Sequence, residues 1–332
     1  MTDAISHTFS SKAGLLGLFF LLSHTALAVA DTTAPIVQKQ TPVQGKTPIA
    51  VIYPDIGEPY RSVFAQIVSG IEGKVKTPLA HFAMGPKADI EELKNSLRRQ
   101  DVKVVIALGR QGMKLASKLD RNIGVVVGGV ITTPENEMGD LPVNSLAPDP
   151  ALLFSNLKAL MPAVKRVFVV YDPRQNGWMI RLAKEAAHEQ GLELVAYETQ
   201  DLRNAARTYR DIFTSVDSHR DALWLLQDSV AAEDGTILPL VLQESWDRNL
   251  AVFSSSLVHV RRGVLFSLYP DNVEMGRHLA DTAQEYLTSG EYGERGMILL
   301  REVLVAINLR TADHIGIKYG NKQSFGIVFP EQ

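Results

Sequence analysis

Three stretches of this chain leave few folds open to it: VKVVIAL at Val102–Leu108, IGVVVGGV at Ile123–Val130 and RVFVVY at Arg166–Tyr171. Runs so short and so apolar bury both faces, as strands inside a parallel sheet do. Between such runs lie segments of helical length with apolar positions three or four apart. Strands alternating with helices of this kind predict right-handed βαβ units, with helices covering a parallel sheet.

The alternation can be followed from Pro48. Ile49–Tyr53 reads as a strand and Tyr60–Gly73 as a helix, with the turn Pro54-Asp55-Ile56-Gly57-Glu58-Pro59 between them. Leu79–Met84 is a strand and Ala88–Arg99 a charged helix. The run Val102–Leu108 leads into turn and helix at Gly109–Leu119, and Ile123–Val130 follows. Leu141–Pro150, LPVNSLAPDP, then has three prolines and no period, and reads as a crossover without secondary structure. Beyond it the pattern restarts: helix 151–160, strand 166–171, helix 177–190, strand 192–197, helix 205–216, strand 222–226, helix 237–248 and strand 250–253. Two such runs predict two similar lobes, although no residue-level internal repeat is visible.

Composition narrows the function classes. With 45% hydrophobic and 21% charged residues and a formal net charge of −3, the chain has an ordinary soluble balance and no basic excess to suit nucleic acid. It has no cysteine, so disulfides, thiolate metal sites and a lipid-modified N-terminal cysteine are excluded. Gly14–Leu22 is an apolar core behind Lys12, and Ala26-Leu27-Ala28 and Ala28-Val29-Ala30 offer small-x-small cleavage sites. Residues 1–30 therefore read as a cleavable signal peptide for export to the periplasm, and 31–47, rich in Thr, Pro and Gln, as a flexible leader. An uncleaved anchor is the competing reading, but Ser23-His24-Thr25 breaks the apolar run short of the ~20 residues a membrane span needs.

Gly263–Leu287, GVLFSLYPDNVEMGRHLADTAQEYL, joins a short apolar strand to an amphipathic helix through Tyr269-Pro270-Asp271-Asn272, where Asp271 or Asn272 can cap the helix. In open α/β sheets, that junction is where small ligands are held. The segment resembles the tryptophan/tyrosine-type family of periplasmic substrate-binding proteins of ABC transporters. The matching residues are Gly263, Leu265, Ser267, Asp271, Gly276 and Arg277, with Met275 in place of the family's Leu. A second block, Ile307–Ala312 followed by Ile315-Gly316-Ile317, resembles the family's Asn-Leu-Lys-Thr-Ala…Gly-Ile ending, and weaker matches extend the likeness over most of 48–318.

The resemblance implies a type I periplasmic-binding fold: two doubly wound parallel-sheet α/β lobes joined by a multi-strand hinge. Lobe 1 is expected to comprise 48–145 plus 257–295, with Gly263–Leu287 completing it. Lobe 2 would comprise 146–256 plus 296–332, with the last strand near Val303–Asn308. It further implies a monomer that takes a small polar or zwitterionic ligand, an aromatic one among the options, between its lobes. The ligand would be delivered to an ABC permease, with no catalysis, cofactor, metal or nucleic acid. Three rivals stand beside this: a ligand sensor for a membrane receptor kinase, an enzyme on a doubly wound scaffold such as a sugar-nucleotide transferase, and a ligand-free envelope interaction protein.

Sequence motifs for chemistry are missing: no phosphate loop, H-E-x-x-H, G-x-S-x-G or G-x-G-x-x-G is present. Ser155-Asn156-Leu157-Lys158 fits S-x-x-K but lacks companion motifs. The candidate ligand residues instead follow the strands. Asp55 and Tyr60 form a lip or merely a turn. Arg110 stands where the family has a small hydroxyl residue, and with Gln111 it opens a helix as a carboxylate clamp or an exposed charge. Thr132 and Thr133 offer hydroxyls to a ligand or to their own loop. Tyr171 and Trp178 belong to a loop like the family's Tyr-Asn-Pro turn, with Trp178 a stacking surface or a lobe cover. Asp228, with Ser229, corresponds to the family's Asp-Asn pair and is the expected ammonium partner. Ser255, Tyr269 and Asp271 complete the ring, and His278 reads as surface or packing.

Overall fold

The computed structural model describes residues 47–131, 139–320 and 324–330. The signal segment 1–30, the leader up to residue 46 and the candidates Thr132 and Thr133 lie outside the described residues. Thr47 corrects the end of the leader. It is buried, and its N–H donates to the Gln100 carbonyl at 3.1 Å, so it belongs to the fold.

The first half contains β1 (Ile49–Pro54), α1 (Tyr60–Lys74), β2 (Leu79–Met84), α2 (Ile90–Arg99), β3 (Val104–Leu108), α3 (Gly109–Ala116), β4 (Gly124–Val130) and β5 (Pro142–Pro148). There follow α4 (Pro150–Leu160), β6 (Arg166–Tyr171), α5 (Pro173–Glu189), β7 (Glu193–Glu198), α6 (Leu202–Phe213), β8 (Asp221–Leu225), α7 (Ile237–Asp247) and β9 (Ala251–Ser254). The chain ends with α8 (Leu257–Arg262), β10 (Phe266–Pro270), α9 (Asn272–Ser289), β11 (Gly296–Leu300), β12 (Val303–Asn308), α10 (Leu309–His314) and β13 (Ile327–Phe329).

Among the described residues these strands build two sheets, in the orders β11-β5-β4-β3-β1-β2 and β13-β12-β10-β9-β8-β6-β7. Their pairings are parallel except that of β10 with β12. Both faces of each sheet are covered, which is why the strands are apolar throughout. Along β3, Val104, Ile106 and Leu108 join α1 and α9 on one face, while Val105 and Ala107 join α2 and α3 on the other. In the second sheet, Ala222 and Trp224 of β8 face α4 and α5, whereas Leu223 and Leu225 face α6 and α7. The expected doubly wound α/β architecture is present.

Helix starts follow readable capping chemistry. Asp149 and Asp172 accept the N–H of Ala151 and Arg174, each followed by a proline at the first helical position, and Asp271 accepts from Glu274. Helix α9 stops at Gly290, whose φ of +75° suits glycine.

Two expectations need correction. The Pro-rich stretch after Leu141 is not an unstructured crossover: Pro142–Pro148 forms the buried strand β5, paired with β4 and β11. Its prolines sit at the strand's first and last residues, where a missing N–H is tolerated. Its polar interior residues are satisfied, Asn144 Nδ2 donating to the Val127 carbonyl at 3.1 Å and Ser145 Oγ to that of Ile131 at 2.8 Å. The segment Gly263–Leu287 does not complete the first lobe as a unit. Its strand β10 lies in the second sheet between β9 and β12, and only its helix α9 packs on the first. Conversely, β11 belongs to the first sheet rather than the second. The strands on either side of each crossing pair with different sheets, so the lobe is decided by non-local hydrogen bonding.

The chain therefore crosses between the lobes after β5, after β10 and after β11. All three crossings lie at the C-terminal ends of parallel strands. They are tied together: Asp149 N–H donates to the Leu300 carbonyl and Asp271 N–H to that of Glu302, each at 2.9 Å. The Arg301 guanidinium lies 3.3 Å from the Asp149 carboxylate.

Helix α9 is held on the first lobe by close backbone approach. A Cβ added at Gly70 would lie 2.0 Å from the Val273 carbonyl oxygen, and one at Gly276 would lie 2.0 Å from that of Ile67. On the sheet side, Gly124 and Gly128 of β4 make room for Tyr286 and Leu279. Gly276→Ala must part the two helices, and should destabilise the protein by at least about 1–3 kcal/mol in urea unfolding. A midpoint equal to that of the parent protein would show that the helices are not in this contact.

Candidate functional site

Each sheet has a point where its winding reverses. In the first sheet β1 is flanked by β2 on one side and β3 on the other, and in the second β6 is flanked by β7 and β8. Loops leaving the two strands at such a point part to opposite faces, opening a crevice at the strand C-terminal ends. The three crossings lie at these same ends, so both crevices sit on the hinge side of their sheets.

The lip of the first lobe is formed by the turn after β1 and the start of α3. Asp55 is exposed, its N–H donating to the Met84 carbonyl at 3.0 Å. Tyr60, the first residue of α1, is 64% exposed, unusual for so large an aromatic. Gly109 takes a φ of +70° between β3 and α3, with the Phe64 ring against it. Arg110 is exposed at this helix start. Gln111 holds the exit of β2, its Nε2 donating to the carbonyls of Gly85 at 2.6 Å and Met84 at 3.3 Å, and so acts as a structural support.

The second lobe's lip is a polar network centred on Asp228. Its Oδ2 accepts from Asp172 N–H at 2.8 Å and Asn176 Nδ2 at 2.9 Å, and its Oδ1 from Val230 N–H at 2.9 Å and Ala231 N–H at 2.8 Å. Those donors fill the lone-pair positions of a carboxylate. Asp228 was expected as an ammonium partner; here it staples the loop after β6 to the loop after β8. Ser229 is exposed, and its N–H and hydroxyl both reach Gln175 Oε1, at 3.2 and 3.1 Å. Asp172 is the second anchor. It caps α5 and accepts from the Arg174 guanidinium at 2.6 Å and from Gln175 Nε2 at 3.2 Å. The Arg174 hydrogen bonds lower the Asp172 pKa from the ordinary 3.8 to about 2, against the opposing effect of burial.

The remaining candidates are mostly built into the lobe. Tyr171 is buried and its hydroxyl donates to Glu198 at 2.9 Å; burial, then that carboxylate, raises its pKa to about 12. Trp178 is half-buried against the core of the second lobe, with an Nε1–H that finds no acceptor there. Ser255 Oγ accepts from Trp224 Nε1 at 3.0 Å inside the lobe. Tyr269 lies over Gly326 beside β13, and Asp271 caps α9 in the second crossing. His278 is partly exposed, 3.5 Å from Glu302.

A serine–histidine pair lies outside the predicted set. Ser254 Oγ donates to the Leu225 carbonyl at 3.0 Å, so at 2.7 Å from His259 Nδ1 it can only accept, and Nδ1 carries the proton. This orientation is the reverse of a serine activated by a histidine base. Burial lowers the His259 pKa, keeping the ring neutral. Among the described residues no cluster of metal-ligating side chains is present, and no helix is long and apolar enough to cross a membrane.

The arrangement thus brings Asp55, Tyr60, Arg110 and Ser229 to the crevice rims as exposed groups. Asp228, Gln111, Tyr171 and Ser255 support the walls. Sequence reasoning missed the wall builders Asn176 and Gln175. The sequence signal was the Asp172-Pro173 helix start, which fixes where the first turn of α5 must lie.

A family model described as ABC transporter substrate binding protein matches residues 153–324. Among solved structures, the chain is similar to a substrate binding protein with adhesive properties from Clostridium difficile, in a ligand-free, open structure. That likeness has 13% identity and a TM-score of 0.60, over 86% of this chain and 100% of that one. It is also similar to an ABC domain in complex with L-Trp from Streptococcus pneumonia, at 16% identity and a TM-score of 0.51, over 86% of this chain and 100% of that one. At such identities the likeness is one of fold. No curated protein matches the sequence.

Two consequences of the Asp228–Asp172 network can be measured. Asp228→Ala leaves buried N–H donors without partners and should lower stability by at least about 2 kcal/mol; unchanged stability would show that the staple is not formed. Asp172 has a depressed pKa, so its ionised form stabilises the fold above the ordinary carboxylate pKa. That contribution is lost as pH falls from about 3.8 to about 2. Asp172→Asn should be less stable at neutral pH and lose less stability on acidification than the parent protein. Parallel pH profiles would refute the pairing.

Proposed function

This chain belongs to the ABC transporter substrate binding protein family, and we propose that it captures a small polar or zwitterionic solute in its cleft and presents it to an ABC permease. The observation that carries this reading is the pair of switch points whose strand ends lie on the same side as three chain crossings. A ligand seated in one crevice gains the second set of contacts only when the lobes approach, so it selects the closed form. Crossings at one edge leave that approach as a hinge motion rather than an unfolding event.

The rim chemistry favours a ligand with an anionic and a planar part. Arg110 stands at the start of α3, where a guanidinium fork and helix N–H groups suit a carboxylate. Tyr60 offers a flat face, and Asp55 and Ser229 offer polar partners for an amine or hydroxyl. Asp228 is left out, because its oxygens are already occupied. The signal-peptide reading of residues 1–30 puts this work in the periplasm.

The test is a thermal-shift screen of refolded protein against amino acids, indoles, purines, sugars and small peptides, refolding having removed any co-purified ligand. A ligand at 100 times its dissociation constant adds about 2.7 kcal/mol and moves the melting point by several degrees. Arg110→Ala should weaken a carboxylate-bearing hit by about tenfold or more. A folded protein that responds to no compound would sink the solute-binding reading. Equal affinity in Arg110→Ala would remove that residue from the site.

A further inference from the structure

The pole of the second lobe opposite the cleft carries a concavity of its own. β9 and β10 run toward the hinge and β12 runs back from it. The starts of the first two and the end of the third therefore lie at the far edge of the sheet. One face of α7, the end of α8, the start of α10 and Phe329-Pro330 line a half-open concavity of about 470 Å³ there. Pockets for small organic molecules run from roughly 300 to 1,000 Å³.

The wall is rich in arginine. Arg261, Arg262, Arg310 and His314 line it, and among the described residues no Asp or Glu does. The chain as a whole is slightly acidic, with 37 Asp and Glu against 34 Lys and Arg. The floor is apolar, formed by Leu242, Leu250, Val252 and Phe329. Two of the cations lie within cation–π range of aromatic rings. The Arg310 guanidinium lies 5.3 Å from the centre of the Trp246 ring, and that of Arg261 lies 5.7 Å from the centre of Phe329. Such a contact holds the guanidinium beside the ring and narrows the positions from which its N–H groups can meet an oxyanion. The His314 ring stacks on Trp246 at 3.5 Å, and its Nε2–H donates to the Trp246 carbonyl at 3.0 Å, fixing the indole. Arg262 is drawn toward Asp234 at 3.4 Å, outside the wall.

From this geometry we propose that the pocket is a second binding site, separate from the cleft, for a small organic anion. The carboxylate or phosphate head pairs with Arg261 and Arg310, and an apolar, planar body lies on the floor. A concavity of this volume suits a small molecule rather than a long peptide.

The three tryptophans provide the readout: Trp246 lies in the pocket, Trp178 in α5 beside the cleft lip, and Trp224 in the core of the second lobe. Full-length protein labelled with 5-fluorotryptophan is titrated with benzoate, phenyl phosphate and inorganic phosphate at constant ionic strength, and followed by fluorine NMR. The expected result is a saturable shift of the Trp246 signal with benzoate or phenyl phosphate, with Trp178 and Trp224 unmoved. Which of the two organic probes binds tells a carboxylate ligand from a phosphate one. Arg310→Gln and Arg261→Gln, each checked for folding by an unmoved Trp224 signal, should weaken binding by about tenfold or more. The proposal is overturned by silence at Trp246 with every probe, or by inorganic phosphate acting as well as the organic anions. Wild-type affinity in both variants would overturn it too, as would a shift confined to Trp178, which would assign the anion to the cleft.

Discussion

Helix α9 begins where a strand of the second sheet ends, yet it must lie on the first lobe. It does so with its backbone, at Gly70 and Gly276, where the carbonyls of Val273 and Ile67 occupy the space a Cβ would need. Van der Waals attraction between surfaces this close accumulates over many atoms, and interiors tolerate little added volume. The helix also sits down on the β4 glycines, so its position is fixed from two sides. Without that seat the crossing after β10 would have no reason to leave the second lobe. The hinge would then lose one of its three crossings.

The lips follow from the same frame. In a doubly wound sheet, the strand ends at a switch point leave a gap that nothing else in the fold fills. The second lobe closes the base of its gap with Asp228 and Asp172, buried carboxylates that would be costly unpaired and are fully hydrogen-bonded here. The loops after β6 and β8 are therefore preorganised before any ligand arrives, while the first lobe keeps exposed groups, Tyr60 and Arg110, at its rim. The second lobe's rim is thus bonded within itself, and the first lobe's rim is the more solvated of the two.

The α/β class was legible because a strand buried on both faces has no polar position to spare, and Val102–Leu108 and Arg166–Tyr171 say so in their own residues. The Asp-Pro start at Asp149 was equally local, whereas the one at Asp172 read as a loop, and α5 begins at Pro173 rather than at the expected 177. What misled was the Pro-rich stretch around β5. Prolines usually break strands, but Pro142 and Pro148 stand at its ends, and the burial of Asn144 and Ser145 depends on partners in β4 and the residue after it. Asp228 looked like a ligand group for a related reason. A lone acid after a strand reads the same whether its oxygens face a ligand or the amides of its own loops.

The sequence by itself determined most of the strands and helices from β1 to β9, with β5 the exception, and the two runs of βα units, because each depends on residues a few positions apart. Only the tertiary structure decided that β10 and β11 belong to opposite sheets, that Asp228 is a staple, and that Trp246, Arg261 and Arg310 share one pocket. Those outcomes rest on hydrogen bonds and contacts between segments far apart in the chain. Periodicity carries no information about which distant edge a strand will pair with, or which distant donor will reach a carboxylate first.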